Sequence, residues 1–489
     1  MPLLIICLGL FILYGALKFA EAAILRNGDG EPMIVREKRI PFVGHLIGLA
    51  RNGVSYYRYL RESTSLPILT ITILGQKIYI VNSPALVSQI NRRQKIIDSS
   101  PPFISIVFEK LFQFDKDDIA ILSHAPVKGR SLRGDTQVAE HRLLERGTKS
   151  LESLSKAIMD QITKRFESVG SKGPEEINLY SWLQELIPLA TADAVFGPNH
   201  PFADNDSLLR EFWEFEGGLK ALTMFPRLMA LRPARARTTL VHAFKSYAET
   251  KCKTREAHQS ELVHELVAVT KHHRRTDAYI GRYLFALFTA FAINSVPVTF
   301  WMMAHILTDK GLRETIRSEL CAARLPKELS IPAIREQCPT LVSTLNEVLR
   351  YVSSSTGTMV IHEDIRINDQ YLLKRGGLVQ IAATAIHSDP DVWGKDADSF
   401  DPFRSLKSGG KGVHPAALRT FGGGSTLCPG RHLAVDQILA FAAQFFLSFD
   451  IDEAIDTQNL PLRDTKNMLS VMKPKSDLVL KLSRRNIDI

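Results

Sequence analysis

The sequence has 489 residues, enough for two or three ordinary domains or for one large domain. Hydrophobic residues make up 45% of it and charged residues 23%, proportions that exclude an intrinsically disordered chain. The net charge of +9 favours an acidic membrane surface or an acidic protein partner, and the lack of a dense basic run interleaved with aromatic residues excludes nucleic acid as an expected partner.

The first 25 residues are predicted to form an uncleaved membrane anchor. Residues 2–17 carry no charge, and with the apolar stretch that ends at Leu25 the segment reaches the length of about 20 residues that a membrane span needs. Lys18 interrupts this segment but can extend to the membrane surface. A secretory signal peptide is the alternative, although no basic residue precedes the apolar run and no small-x-small cleavage site is evident. Basic residues after the anchor favour a cytosolic remainder; they are Arg26, Arg36, Lys38 and Arg39.

Residues 26–45 are predicted to form a polar linker, and residues 46–489 a single folded domain. Within the domain, Leu66–Val81 has two β-rich runs around a Leu-Gly-Gln-Lys turn and predicts a hairpin. From about residue 85 to residue 270 the pattern is mostly helical. Part of it, Glu140–Arg146, has one charged face, and such a face is usually solvated.

A long apolar stretch, Tyr283–Leu307, contains no Asp, Glu, Lys or Arg. By length it could be a second membrane span. However, Asn294, Ser295 and Pro297 lie in its middle. Because proline removes a helical hydrogen bond, a kinked buried helix with polar side chains facing a cavity is the other interpretation.

Two short motifs follow. Glu347 and Arg350 are three residues apart and therefore share a helix face, where such a pair is normally a surface ion pair of little consequence. Leu378–Ile386 reads as a strand, and the segment Phe400–Arg404 comes after it. Taken alone, neither motif indicates a function.

The stretch Phe421–Ala434 is the strongest local feature of the sequence. Three successive glycines and Pro429 predict a stiff loop around Cys428, and apolar residues at helical spacing follow. A thiol just before a helix is exposed to the positive end of the helix dipole, which favours the thiolate. A buried structural cysteine remains an alternative, and a phosphate cradle is a weak one because no Gly-Lys-Ser or Gly-Lys-Thr follows. The remaining cysteines are scattered and form no Cys-x-x-Cys pair, which argues against disulfides or a zinc site and suits a reducing compartment; they are Cys7, Cys252, Cys321 and Cys338.

This loop resembles the haem-binding loop of the cytochrome P-450 family, Phe-x-x-Gly-x-x-x-Cys-x-Gly. The matching residues are Phe421, Gly424, Cys428 and Gly430. The resemblance implies that haem b (iron protoporphyrin IX) binds here with the Cys428 thiolate as axial ligand of the iron. It also implies a mainly α fold with a smaller β region, in one large triangular domain behind an N-terminal membrane helix.

Other family motifs occur in the same order. Glu347 and Arg350 match Glu-x-x-Arg, and Arg404 ends a segment similar to Phe-x-Pro-x-Arg. The resemblance implies that these three residues form a buried cluster that pins the loop carrying Cys428. It also favours a buried, oxygen-facing central helix over a second membrane span at Tyr283–Leu307.

The sequence departs from the family pattern in three places. Asn294 stands where an acid usually precedes a threonine on the central helix, and Ser295 stands for that threonine, so Ser295 is the residue expected to hold a hydroxyl or water near the oxygen. Thr426 replaces a common Arg or His, and no Trp-x-x-x-Arg is present. Replacements for these propionate cations are therefore open, with a residue of the charged segment as one option; the options are His141, Arg142 and Arg146.

The resemblance implies a monooxygenase that activates O₂ with electrons from a NADPH-cytochrome reductase, a flavoprotein, at the endoplasmic reticulum membrane. Asn294 with Ser295 resembles the branch of sterol hydroxylases and prostacyclin synthase, and the loop is similar to fungal secondary-metabolism members. The expected substrate is accordingly a lipophilic small molecule, terpenoid or steroid-like. Two alternatives remain: a reductase-independent isomerase or dehydratase, and a non-enzymatic haem-binding adaptor or sensor.

Overall fold

The computed structural model describes the chain except for residues 1–10, 13, 22, 24–25, 38–39, 125–130, 225–228, 253–258, 325–328, 408–411, 452–459, 467–468 and 486–489. Most of the predicted anchor therefore lies outside the described residues. Its described part is helical over residues 14–21, and Phe19 is 78% exposed. Insertion of this segment into a membrane stays a prediction.

Helices dominate the described chain. They are α1 Gly44–Asn52, α2 Ser55–Thr64, α3 Pro84–Asn91, α4 Ser100–Phe103, α5 Lys116–Ser123, α6 Leu132–Leu143, α7 Lys149–Phe166, α8 Leu179–Phe196, α9 Asp206–Gly217, α10 Leu219–Met224, α11 Leu231–Thr250, α12 Glu261–His272, α13 Asp277–Thr308, α14 Lys310–Arg324, α15 Ile331–Gln337, α16 Pro339–Val352, α17 Ala383–His387, α18 Pro390–Trp393, α19 Arg404–Lys407 and α20 Arg431–Ser448, with a π-helix at Ile104–Leu111 and a 3₁₀ turn at Gly424–Thr426. The prediction of a mainly α fold is confirmed.

Ten strands form three small sheets in the described part of the chain. They are β1 Ile68–Ile73, β2 Gln76–Val81, β3 Ile97–Asp98, β4 Glu175–Asn178, β5 Thr356–Ile361, β6 Ile365–Ile367, β7 Tyr371–Leu373, β8 Leu378–Ala382, β9 Phe449–Ile451 and β10 Val479–Arg484. The largest sheet has the order β1-β2-β8-β5-β3, with β2 and β8 parallel and the other pairs antiparallel; the others are β4-β10-β9 and β6-β7. The predicted hairpin is confirmed: Ile68 faces Val81, and the turn has positive φ at Leu74 and Gly75, as a two-residue hairpin turn requires.

Part of the predicted linker packs against the large sheet. The Val35 amide donates to the Thr70 carbonyl (2.8 Å), and the Thr70 amide donates to the Met33 carbonyl (2.9 Å). Helix α1 begins at Gly44, and the buried His45 ring bonds to Tyr56 (2.9 Å). The segment before residue 46 is therefore attached to the domain that follows it.

The 32-residue helix α13 runs through the largest hydrophobic core. Thr276 caps its start by accepting from the Tyr279 amide (3.2 Å), and Pro297 lies inside it. Among the described residues it is the one helix long and apolar enough to cross a membrane, yet 72% of its most apolar stretch is buried within the protein. This burial favours the core-helix interpretation over a second span. The middle of α13 lies against the loop that carries Cys428.

Candidate active site

The cysteine loop, Phe421–Gly430, is a tight turn closed by hydrogen bonds. The Cys428 amide donates to the Phe421 carbonyl (2.9 Å), and the Thr426 hydroxyl donates to the Gly423 carbonyl (2.8 Å). Gly422 and Gly424 have φ of +74° and +60°, values that residues with a Cβ rarely adopt. The glycines are therefore required by the backbone of the turn, which presents Cys428 immediately before α20.

Burial controls the chemistry of the Cys428 thiol. It raises the pKa of Cys428, against the opposing effects of the Gly430 amide and the Arg431 cation. The expectation that the helix start favours the thiolate is thus outweighed by desolvation. A bound metal cation would reverse this balance, because a coordinating thiol loses its proton.

The cysteine loop lies against the middle of α13. A Cβ at Gly430 would be 3.4 Å from Phe291 Cε1 and 3.9 Å from Cys428 Sγ, so the Phe291 ring and the thiol approach the same point. Ser295, one turn after Phe291, donates its hydroxyl to the Phe291 carbonyl (2.9 Å). The structure therefore brings the helix turn of Asn294 and Ser295 to the side of Cys428.

One side of α13 faces open space although the helix runs through the core. Ala290 is exposed, and Phe291, Ile293 and Asn294 are half-buried, whereas the next six residues after Asn294 are buried. The Asn294 amide forms no hydrogen bond with the described residues. This side is mostly apolar and has one polar group that is free to bind a ligand or water.

Three residues of α6 share a helix face at spacings of four and three: Arg133, Gln137 and Glu140. Gln137 Nε2 donates to the Ser425 carbonyl of the cysteine loop (3.5 Å). The charge of Glu140 is close enough to raise the pKa of Cys428. Sequence reasoning overlooked this stripe, although its periodicity was a readable signal.

Glu140 is a half-buried carboxyl group that contacts α13. The buried Tyr283 hydroxyl of α13 donates to Glu140 Oε1 (2.7 Å). Burial raises the pKa of Glu140 to about 7, and the Tyr283 hydrogen bond reduces that rise. Arg142 and Arg146 of the same segment are exposed, and Arg142 pairs with Glu265 (2.6 Å), so they belong to the solvated face and not to the site.

The predicted cluster of Glu347, Arg350 and Arg404 is assembled in the structure. Glu347 accepts two hydrogen bonds from Arg350 (2.7 and 2.8 Å) and one from Arg404 Nε at 3.1 Å. Glu347 and Arg350 are 3% and 2% exposed, so the pair is fully desolvated. Arg350 also donates to the carbonyls of His387 (2.6 Å) and Ala397 (2.7 Å), which spreads its charge over the backbone.

His387 connects this cluster to the cysteine loop and was not anticipated from the sequence. Its Nδ1 bonds to the Arg350 carbonyl (2.9 Å), and its Nε2 accepts from the backbone amide of Arg419 (2.8 Å). Arg419 is two residues before Phe421, where the cysteine loop begins. Complete burial lowers the pKa of His387 to about 3, so the ring is neutral and can donate at Nδ1 while accepting at Nε2. The cluster is thereby tied to the chain that enters the loop.

The family model of cytochrome P450 matches residues 36–481. The chain belongs to the cytochrome P450 family. It is 26% identical over 475 residues to cytochrome P450 monooxygenase nodJ of Hypoxylon pulicicidum, covering 93% of this chain and 90% of that protein. It is 25% identical to the 25-hydroxycholesterol 7-alpha-hydroxylase of Rattus norvegicus, covering 68% of this chain and 85% of that one. The solved structure of retinoic acid bound cyanobacterial CYP120A1 shares the fold, with a TM-score of 0.73, 18% identity and coverage of 94% and 100%.

This family and fold imply haem with an axial cysteine thiolate, and the residues of the site fit that cofactor. Among the described residues no group of three His, Cys, Asp or Glu side chains could complete the shell of a bare metal ion. A single thiol in a glycine-rich turn instead suits an iron whose other ligands come from a planar macrocycle. Cys428 is the cysteine at the motif position, and the apolar side of α13 offers the facing wall.

Proposed function

We propose that this cytochrome P450 hydroxylates a lipophilic, steroid- or terpenoid-like small molecule, using O₂ and electrons from a NADPH-dependent flavoprotein reductase. The observation that carries the proposal is the approach of Phe291 and Cys428 to one point beside Gly430. It sets a prospective iron ligand opposite an apolar helix side with open space. When bound, the haem supplies the activation of O₂.

The apolar side of α13 supports a lipophilic substrate. Ala290, Phe291 and Ile293 present hydrocarbon surface towards the open space, and a nonpolar skeleton gains about 25 cal/mol for each Å² that it buries there. The relative named as a 25-hydroxycholesterol 7-alpha-hydroxylase supports the same substrate class. Asn294 is the polar group that would orient a hydroxyl or a water molecule within this surface.

Ser295 is proposed to keep a proton donor near the reacting oxygen. Its hydroxyl donates to the Phe291 carbonyl, which leaves its oxygen lone pairs able to hold a water molecule. Asn294 can donate to the same water through its amide but cannot release a proton itself. Proton delivery then depends on this water and not on a carboxylic acid of α13.

The reductase is proposed to dock on the basic surface beside the cysteine loop. Asn91 and Gln94 abut Gly424 of the loop, and Arg92 and Lys95 next to them are exposed. An acidic partner would be steered to this surface by charge. Docking there would bring its electron donor close to Cys428.

Arg419 is proposed as one anchor of this docking surface. Its side chain is 5% exposed and makes no hydrogen bond or ion pair within the described part of the chain. It borders a cavity of about 370 Å³ that is also lined by Asn91, Leu418 and Gly423. Burial lowers the pKa of Arg419 to about 10, as expected for a cation without a neutralising neighbour, and a carboxylate of the partner would supply that neighbour.

The membrane anchor and an endoplasmic reticulum location remain part of the proposal. Phe11 and Phe19 of the N-terminal helical segment are 74% and 78% exposed, which suits contact with lipid. A tether at this position would keep the domain at the bilayer in which a lipophilic substrate dissolves.

The test is turnover of a steroid and terpenoid panel by membranes that contain the protein together with a flavoprotein reductase. The proposal expects a product that carries one oxygen atom from ¹⁸O₂ and requires NADPH. Asn294 in place of an acid favours one rival, an isomerase or dehydratase acting on a peroxide or an oxygenated substrate. Product formed from such a substrate without NADPH or reductase would establish the rival instead. Haem binding without turnover in either assay would favour an adaptor or sensor.

A further inference from the structure

A cluster of polar side chains lies at one edge of the cysteine loop, where three segments meet. The Ser99 and Ser425 hydroxyls are hydrogen-bonded (3.1 Å), and Gln137 Nε2 donates to the Ser425 carbonyl. Arg133, one turn before Gln137 on α6, donates from Nη2 to the Ser100 hydroxyl. The cluster thus contains one guanidinium, one side-chain amide and three serine hydroxyls, and its member on the loop, Ser425, is three residues before Cys428.

Within the described ranges, the cation of this cluster has no direct carboxylate partner. Arg133 forms no ion pair among the described residues, and Asp98 reaches it only through the Ser100 hydroxyl, which donates to Asp98 Oδ1 (2.6 Å). Burial lowers the pKa of Arg133, with Asp98 acting against that decrease. A partly buried guanidinium in this state is costly unless an anion neutralises it.

Arg431 lies beside the loop at the start of α20 and is already engaged. Its Nη2 donates to Glu145 (2.6 Å), and its Nη1 donates to the Cys428 carbonyl (3.3 Å). The Thr426 hydroxyl is likewise used within the loop, on Gly423. Neither is therefore available to a new anion, whereas Arg133 and Gln137 each keep N–H groups that donate to no described residue.

We infer that Arg133, with Ser99, Gln137 and Ser425, binds a propionate of the haem. Haem b carries two carboxylates on one edge of a flat ring, and a ring whose iron is bound to Cys428 has its edges close to the loop that holds the cysteine. A carboxylate can accept a charge-assisted hydrogen bond from the guanidinium and further bonds from the hydroxyls and the amide. The contact would neutralise Arg133 and fix the rotation of the ring in its plane.

The test compares haem b with its dimethyl ester, which lacks both carboxylate charges. Each is bound to the apoprotein, and its dissociation is followed by transfer to apomyoglobin. The wild type should lose the diester at least tenfold faster than haem b. Arg133→Gln should lose haem b about tenfold to a hundredfold faster than the wild type, the range expected for one charge-assisted hydrogen bond. The esterification penalty is the ratio of the dissociation rate of the diester to that of haem b. In Arg133→Gln this penalty should be at least tenfold smaller than in the wild type.

Arg142→Gln is the matched control, since it removes an exposed arginine from the same helix and should leave all rates unchanged. Arg133→Lys keeps the charge and should restore most of the affinity. Ser425→Ala, which removes one hydroxyl, tests the site if Arg133→Gln does not fold, and it should lower the esterification penalty by a smaller factor. An esterification penalty that is equal in the wild type, Arg133→Gln and Ser425→Ala would overturn the inference.

Discussion

Replacing Glu347 by glutamine tests the buried charged cluster of Glu347, Arg350 and Arg404. Glutamine keeps the size of the side chain but removes the charge, and its NH₂ group cannot accept from the arginines. Arg350, 2% exposed, would then be a buried cation without a counter-ion, and Arg404 would keep only one of the two oxygens that accept from its Nε at 3.1 and 3.2 Å. Removing one partner of such a buried pair costs about 3–5 kcal/mol.

The assay is urea denaturation of the haem-loaded protein, followed by circular dichroism and by haem release. We expect Glu347→Gln to lower the free energy of unfolding by about 3–5 kcal/mol and to speed haem loss, because His387 transmits the position of Arg350 to Arg419 at the start of the loop.

A control with similar geometry isolates the effect of burial. Arg142 and Glu265 are 2.6 Å apart, as close as the buried pair, but their side chains are 61% and 39% exposed. Glu265→Gln should therefore cost no more than about 1 kcal/mol. If Glu347→Gln cost no more than this control, the view that the cluster holds the cysteine loop through desolvated charge would be refuted.

Further predictions concern Glu140, Ser295 and Arg419. Because the folded pKa of Glu140 is raised to about 7, its contribution to stability is fully present below the unfolded value of 4.5 and is lost as the pH rises through about 7, a change of about 3 kcal/mol. Glu140→Gln should remove this pH dependence in urea titrations, whereas the exposed Glu152→Gln should not; equal profiles for both would contradict the burial argument. Ser295→Ala should consume NADPH and O₂ in excess of product while Ser295→Thr stays coupled, and unaltered coupling in the alanine variant would reassign Ser295 to packing. Arg419→Gln should raise the KM for the reductase about tenfold without changing reduction by dithionite; an unchanged KM would remove Arg419 from the docking surface.

Local sequence patterns predicted much of the fold. The mainly helical middle of the chain and the hairpin at Ile68–Val81 were predicted from periodicity and turn residues, and both were confirmed. The triad residues could be named because each of their motifs is short and local. Their contact joins positions 57 residues apart, and only the resemblance to a family predicted it.

Other features depended on long-range packing that no local pattern encodes. Gln137 and Ser425 are 288 residues apart in sequence, so no local pattern near Gln137 predicts their contact. His387 looked like an ordinary residue at the end of a strand, and its role as a neutral connector follows from complete burial between Arg350 and Arg419. The state of the Cys428 thiol was predicted from the helix dipole alone, whereas burial, which opposes the charged form, is a property of the folded chain.

The most direct test of the central claim is the difference spectrum of the reduced, carbon-monoxide-bound protein, recorded for the wild type and for Cys428→Ser. If Cys428 is the axial thiolate ligand of haem iron, the wild type shows a strongly red-shifted Soret band and the variant does not. A red-shifted band that persists in Cys428→Ser, or a folded wild-type protein that binds no haem, would contradict the account.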